Sequence, residues 1–181
     1  MHATIADVIA DTAQNSIEAG ARSIKLSVAE DGKTIAVRIT DNGKGMDEAT
    51  QARAFNPFYT EPGKHDKRKV GLGLPMLKQL CESTDGSVSL KSCKGEGTEL
   101  SYSFSATHID LPPMGDLADA VLMLFNYPGD FDLEFTHRKG DGEYSISRLE
   151  LAEAVGGLES AEGISLAREF LQSQEDDLPK I

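Results

Sequence analysis

The sequence has little of several residue types, and each shortage argues against a class of protein. Its 181 residues include two cysteines, Cys81 and Cys93, without CxxC or Cys–His spacing, so we expect no metal cluster and interpret both as reduced structural residues of a cytoplasmic protein. The four histidines form no HExxH pair. No GxxxxGK[ST] motif occurs, so any nucleotide site here is not a P-loop.

Long apolar runs and net positive charge are also missing. No run approaches the roughly 20 residues that a membrane helix needs, and no signal peptide is recognisable. The formal net charge of −12 argues against nucleic acid or an anionic membrane as the main partner. Basic residues nevertheless cluster at Lys64, Lys67, Arg68 and Lys69. This cluster is either a local device for binding an anion or a solvated loop kept soluble by its lysines.

One short stretch combines an acid with closely spaced glycines. Asp41-Asn42-Gly43-Lys44-Gly45-Met46 directly follows an alternating apolar run that predicts a strand over Thr34–Thr40. Glycine has no Cβ, so a flat ring can come close to its backbone. A buried, ionised carboxylate accepts hydrogen bonds and donates none, which suits the exocyclic amine of adenine and opposes the carbonyl oxygen of guanine. Alone, the pattern is more often an Asn-Gly turn between two elements than a binding site.

Periodicity and turn residues predict alternating helices and strands. In the first part of the chain we expect helices over Thr4–Glu18 and Asp47–Ala54, and a third that carries Leu74, Leu77, Leu80 and Cys81. We expect strands over Ser23–Ala29, Thr34–Thr40, Gly86–Ser92 and Glu96–Ala106. Beyond a break at His108–Pro113 we expect a helix over Met114–Phe125, a hairpin of Asp130–His137 with Glu143–Ser147, helices over Arg148–Val155 and Ser160–Leu171, and a frayed acidic tail at Glu175–Asp177.

The break near residue 108 predicts two parts. Residues 1–108 would form the main domain, and residues 109–181 a small α+β appendage that offers a partner or regulatory surface. Three apolar residues of the Met114–Phe125 helix, Leu117, Val121 and Phe125, form a stripe that must be buried somewhere. The appendage therefore either docks on the first part or meets a partner.

Five spaced elements together resemble a known ATP-binding domain. They are Asp11-x-x-x-Asn15 on a helix, Asp41-x-Gly-x-Gly after a strand, a loop that starts at Phe55–Thr60, Gly71-x-Gly73-Leu74 at a helix start, and Gly95-x-Gly97-Thr98. Their order and spacing resemble the GHKL, or Bergerat, domain shared by gyrase, histidine kinases and the MutL proteins, over residues 3 to 108. The resemblance implies an α+β fold, a two-layer α/β sandwich in which helices cover one face of a mixed sheet.

The resemblance also implies roles for matched residues. Asn15 would be a ligand of Mg²⁺, and Asp11 would stand where hydrolysing members place a glutamate base, although it is one methylene shorter. Thr98 would complete the adenine contact of Asp41, and Gly45 would let the ring approach. The full set expected to bind ATP is Asn15, Asp41, Gly43, Gly45, Met46, Phe58, Thr60, Lys69, Gly71, Leu72, Gly73, Leu74 and Thr98.

The phosphates would be held at the start of the helix that follows Gly71. Gly71 and Gly73 would offer backbone N–H groups where the helix dipole favours anions. Residues 60–69 would form a lid, with Lys67, Arg68 or Lys69 neutralising the terminal phosphate. Lys69 takes the place of a glycine usual in the family, which would stiffen the hinge of the lid.

Several functions remain open for such a domain. Because the chain opens at Met1 almost directly on the first motif, we expect no preceding helix with a phosphoacceptor histidine, and His2 is a poor candidate. The leading interpretation is Mg²⁺-dependent ATP binding with phosphoryl transfer to a separate protein, or slow hydrolysis. Alternatives are a MutL-like ATPase switch, which would allow a homodimer, and a nucleotide-gated protein-binding module similar to anti-sigma factors. A scaffold with a degenerate pocket ranks last.

Overall fold

Alternating apolar residues organise the chain around one mixed sheet. The computed structural model describes residues 3–56 and 73–181. Its strands are β1 (Ser23–Glu30), β2 (Thr34–Asp41), β3 (Ser87–Cys93), β4 (Gly97–Ser105), β5 (Asp132–Lys139) and β6 (Gly142–Ser147). Its helices are α1 (Ile5–Glu18), α2 (Glu48–Arg53), α3 (Gly73–Ser83), α4 (Leu117–Phe125), α5 (Arg148–Val155) and α6 (Ala161–Asp177).

The six strands lie in the order β3-β4-β2-β1-β5-β6. Strand β5 runs parallel to β1, and every other neighbouring pair is antiparallel. The α+β class and the mixed sheet predicted from the sequence are thereby confirmed. Strands β1 and β2 form a hairpin that turns at Asp31, whose carboxylate accepts hydrogen bonds from the backbone N–H groups of Lys33 and Thr34.

The two faces of the sheet differ because side chains alternate along each strand. On one face, buried residues of β2 stand opposite buried residues of β4, as in the pair Val37 and Tyr102. Residues of α1, α3, α4 and α6 belong to the same apolar core. The other face carries ion pairs such as Arg38 with Glu99, at 3.0 Å. Helices therefore cover the apolar face, as expected for a two-layer sandwich.

Helix α1 is defined at both ends by its own sequence. The Thr4 hydroxyl accepts a hydrogen bond from the Asp7 N–H, and the Asp7 carboxylate accepts one from the Thr4 N–H, which forms a capping box. Ile5 and Ile9 are fully buried in the core. Gly20, just past the end, has a φ of +74°, a conformation that glycine adopts without strain.

The last third of the chain extends the same sheet. Strand β5 pairs with β1 from Ser23 opposite Asp132 to Glu30 opposite Lys139. The predicted stripe of Leu117, Val121 and Phe125 is buried in the common core. The expectation that these residues need burial is therefore confirmed, whereas the domain boundary near residue 108 stays a prediction. None of the helices in residues 3–56 and 73–181 is long and apolar enough to cross a membrane.

Helix α6 corrects one prediction. We expected it to end at Leu171 with a frayed acidic tail, but it continues to Asp177. Glu175 accepts a hydrogen bond from the Tyr144 hydroxyl at 2.6 Å, and its carboxylate lies 2.9 Å from Nδ1 of His137. The other ring nitrogen of His137 lies 3.0 Å from Glu30 on β1. The prediction was wrong because these partners, distant in sequence, hold the last helical turns in place.

Candidate functional site

The buried face of the sheet ends in a polar row across three strands. Asp41 at the end of β2 stands opposite Thr98 on β4, and Thr98 stands opposite Ser92 on β3. Paired residues on neighbouring strands point to the same face, so these three side chains lie side by side. The adjacent row on that face is apolar and consists of Ile39, Leu100 and Leu90. The polar row therefore closes the core at this end of the sheet.

Asp41 is held in place from two sides. It is 8% exposed. The Ser16 hydroxyl on α1 donates to its Oδ2 at 2.6 Å, and the backbone N–H of Gly43 donates to its Oδ1 at 2.9 Å. A carboxylate oxygen has two lone pairs, so each oxygen can accept a further hydrogen bond. The arrangement gives an oriented carboxylate that presents acceptors at the edge of the core.

Ser92 connects the polar row to the turn that follows β2. Its hydroxyl accepts from the Met46 N–H at 2.8 Å and lies 2.9 Å from the Thr98 hydroxyl. Its own backbone N–H donates to the Gln51 side chain on α2 at 2.6 Å. Ser16, Ser92 and Gln51 are not among the site residues predicted from the sequence. The signal for Ser92 was its position in β3, two residues after Leu90 and four after Val88, which places it on the same face.

Gly45 is required by the packing of the turn. Its φ is +58°, and a Cβ at this position would lie 2.0 Å from the Cys93 carbonyl oxygen. The Gly95 N–H also donates to the Lys44 carbonyl oxygen at 2.8 Å. The space beside Gly45 is therefore used by the β3–β4 hairpin. Its suggested contact with a ring stays a prediction.

Gly43 sits in a similarly tight place. A Cβ there would lie about 3 Å from both Ala19 and the Asp41 carboxylate. The neighbouring Lys44 N–H donates to the Ala19 carbonyl oxygen at 3.1 Å. The turn after β2 thus packs on the end of α1, which fixes the position of Asp41 relative to that helix.

A second group of predicted residues lies further toward the N-terminus of α1. Asp11 and Asn15 are both half-buried and are one helical turn apart on the same side of α1. A Cβ on Gly73 would lie 2.9 Å from Oδ2 of Asp11, so the start of α3 is directly beside this carboxylate. The structure therefore brings Asp11 together with the helix start at Gly73 and Leu74.

The remaining predicted residues lie outside the part of the chain that the structure describes. They are Phe58, Thr60, Lys69, Gly71 and Leu72, with the basic residues Lys64, Lys67 and Arg68. Within the described ranges, no three residues among His, Cys, Asp and Glu are arranged to hold a metal ion. Asn15 is the magnesium ligand predicted from the sequence, and its amide oxygen would act together with water and phosphate oxygens, which suits an ion that keeps several waters.

The fold and the site together define a class of protein. A mixed sheet that is covered by helices on one face, with a buried acid at a strand end, is consistent with the Bergerat fold. The chain belongs to the family of histidine kinase-, DNA gyrase B-, and HSP90-like ATPases, whose model matches residues 2–108. The family resemblance drawn from the spaced motifs is thereby confirmed.

Individual relatives are sensor proteins of bacteria. The chain is 34% identical to the heme sensor protein HssS of Staphylococcus saprophyticus over 104 residues, which cover 58% of this chain and 22% of that protein. It is 34% identical to the sensor histidine kinase YcbM of Bacillus subtilis over 95 residues, which cover 50% of this chain and 30% of that protein. The match thus spans less than a third of each relative.

A solved structure extends the likeness of the fold. The crystal structure of the N-terminal domain of a DNA repair protein superposes with a TM-score of 0.60 at 14% sequence identity. The superposition covers 89% of this chain and 58% of the DNA repair protein's chain, so the likeness of the fold continues past residue 108. At this identity the comparison supports the fold alone.

Proposed function

We propose that this chain binds ATP together with Mg²⁺ and that Asp41 recognises the adenine amine. The observation that carries the proposal is the oriented Asp41 carboxylate, held by Ser16 and by the Gly43 N–H. An amine attached to the purine can donate to this carboxylate, whereas a carbonyl oxygen in the same place would face another acceptor. Thr98, directly opposite Asp41, would complete the contact.

The phosphates would lie toward Asp11 and the start of α3. The first N–H groups of a helix have no intrahelical acceptor as a general rule, and the helix dipole favours anions there, so the start of α3 at Gly73 and Leu74 would suit phosphate. Asn15, on the same side of α1 as Asp11, would hold the magnesium ion through its side-chain oxygen. When bound, the ion would supply charge neutralisation between the phosphate oxygens.

We further propose that the bound ATP is used for phosphoryl transfer to a separate protein. The relatives are named as sensor proteins and sensor histidine kinases, which supports a kinase-type reaction. Neither of the two histidines in the described residues has the surroundings of a phosphoacceptor on an exposed helix. His137 is buried in β5 between two carboxylates, and His108 lies in the turn after β4, so neither stands exposed on a helix.

Slow hydrolysis is the second candidate. The observation in its favour is the Asp11 carboxylate beside the start of α3, because an acid near the phosphates could orient an attacking water. Asp11 would then be the catalytic base. A nucleotide-gated binding module, in which ATP is held but not cleaved, would need neither Asp11 nor a phosphoacceptor.

Calorimetry with ATP, with and without Mg²⁺, tests the binding proposal. We expect Asp41→Asn to weaken ATP binding at least tenfold, because its amide N–H₂ replaces an acceptor with a donor. Asp110→Asn makes the same change of charge at an exposed position beyond the other end of β4 and should leave the affinity unchanged. Equal affinity of wild type and Asp41→Asn would refute the proposal.

The use of ATP is tested with nucleotide labelled on its terminal phosphate. Label that appears on a protein partner supports phosphoryl transfer. Free phosphate that is released by the wild type but not by Asp11→Asn, while ATP still binds, supports hydrolysis with Asp11 as the base. Tight ATP binding with neither labelled partner nor free phosphate would contradict both reactions. It would support the nucleotide-gated binding module instead.

A further inference from the structure

Ser92 has no assigned role, yet its hydroxyl joins three segments at the polar row. It is half-buried at the end of β3. The hydroxyl oxygen lies 2.8 Å from the Met46 nitrogen, 2.9 Å from the Gly97 carbonyl oxygen and 2.9 Å from the Thr98 hydroxyl oxygen. It thus contacts the turn after β2 and two successive residues of β4.

The direction of each hydrogen bond follows from the chemistry of its groups. A serine hydroxyl has one proton and two lone pairs. The Met46 N–H can only donate and the Gly97 carbonyl oxygen can only accept, so Ser92 uses one lone pair for the first and its proton for the second. Its remaining lone pair faces Thr98. All three contacts are hydrogen bonds only if Thr98 donates its own proton to Ser92.

This assignment determines what Thr98 presents to a ligand. Because its only hydroxyl proton is donated to Ser92, Thr98 can only accept hydrogen bonds on the side of Asp41, its neighbour in the polar row. Asp41 also presents acceptors, because the Ser16 hydroxyl and the Gly43 N–H donate to it. A ligand group between them must therefore be a donor.

We propose that Ser92 is a positioning residue that orients the Thr98 hydroxyl and thereby sets the preference for a purine with an amine over one with a carbonyl oxygen at the same position. The inference rests on the proposed function, since it assumes that the base lies against Asp41 and Thr98. Without the Ser92 hydroxyl, the Thr98 proton is free to rotate and to donate to a carbonyl oxygen. Selectivity then falls, beyond any general loss of affinity.

The test compares ATP with inosine triphosphate, which has the same sugar and phosphates but a carbonyl oxygen in place of the amine. We expect Ser92→Ala to lower the ratio of the two affinities by roughly five- to tenfold, the value of one neutral hydrogen bond. Ser92→Thr keeps a hydroxyl and should stay within about twofold of the wild-type ratio. Ser89→Ala, at an exposed position of the same strand, should leave the ratio unchanged.

The outcomes separate this inference from the proposed function. If wild type fails to bind ATP, the proposed function is wrong. If wild type binds ATP and Ser92→Ala weakens both nucleotides equally, or Ser92→Thr loses as much selectivity as Ser92→Ala, Ser92 is merely structural and the inference is overturned. Should Ser92→Ala not fold, Ser92→Cys, which is similar in size and bonds weakly, carries the same expectation and the same refutation.

Discussion

His137 links three elements of the fold, and its replacement should be costly. It is 1% exposed in β5 and its two ring nitrogens lie within 3.0 Å of Glu30 on β1 and of Glu175 on α6. His137→Phe keeps a ring of similar shape but leaves both carboxylates without this partner. Each lost hydrogen bond to a charged group is worth about 1.5–3 kcal/mol, so for two such bonds we expect a loss of about 3–6 kcal/mol in the free energy of unfolding.

The effect should depend on pH with a defined sign. Burial alone would lower the pKa of His137, but the hydrogen bonds from its ring to Glu175 and Glu30 outweigh burial and raise the pKa above the ordinary 6.5. A raised pKa means that the stabilisation is fully present below the unfolded value of 6.5 and is lost as pH rises through the folded pKa. The free energies of unfolding of wild type and His137→Phe should therefore differ most near pH 6 and less at pH 9.

The stability contributed by Glu30, in the same cluster, depends on pH with the opposite sign. Burial raises the pKa of Glu30, but His137 and Lys139 outweigh it and lower the pKa below the ordinary 4.5. Its contribution is present above 4.5 and is lost as pH falls through the folded pKa. Tyr144 stays protonated because burial and its hydrogen bond to Glu175 raise its pKa, so it donates to Glu175 across this range.

Urea unfolding followed by circular dichroism at pH 6 and pH 9 measures this prediction. His137→Gln has both of its N–H donors on one nitrogen and can replace the contact with one carboxylate, so it should lose less stability than His137→Phe. His108→Gln is the control, because His108 lies in a turn with Asp85 3.8 Å away. A loss below about 1 kcal/mol for His137→Phe at pH 6, or an equal loss at both pH values, would refute the reasoning.

Two further predictions concern the packing of the turn after β2 and of the last helix. Gly45→Ala should cost more than the roughly 1–2 kcal/mol of a left-handed conformation, because its Cβ would lie 2.0 Å from the Cys93 carbonyl oxygen. Gly95→Ala, at φ +85° with open space around it, should cost only the free energy of the left-handed conformation. Equal melting temperatures of Gly45→Ala and Gly95→Ala would contradict this prediction. Leu171→Ala, which truncates a fully buried residue of α6, should cost about 2–5 kcal/mol in urea unfolding. Leu149→Ala, 59% exposed, should change stability by less than about 0.5 kcal/mol, and a similar small effect of Leu171→Ala would mean that α6 is not part of the core.

Local chemistry made most elements predictable from the sequence. Capping residues fix helix starts because their side chains bond to N–H groups within the same turn, as Asp47 does to Thr50 at the start of α2. Alternation identified the strands, since the side-chain period of a strand is two residues. The family could be predicted for the same reason, because its motifs are short and occur in a set order along the chain.

The sequence by itself determined the elements, the family and the candidate residues Asp11, Asn15 and Asp41, because the patterns that reveal them lie within a few consecutive residues or in a recurring order. Only the tertiary structure decided that β5 lies beside β1, that α6 extends to Asp177 and that Ser16 and Ser92 surround Asp41 and Thr98. Each of these depends on groups far apart in the sequence. These groups come into contact because of strand order and packing, and no local sequence pattern predicts either of them.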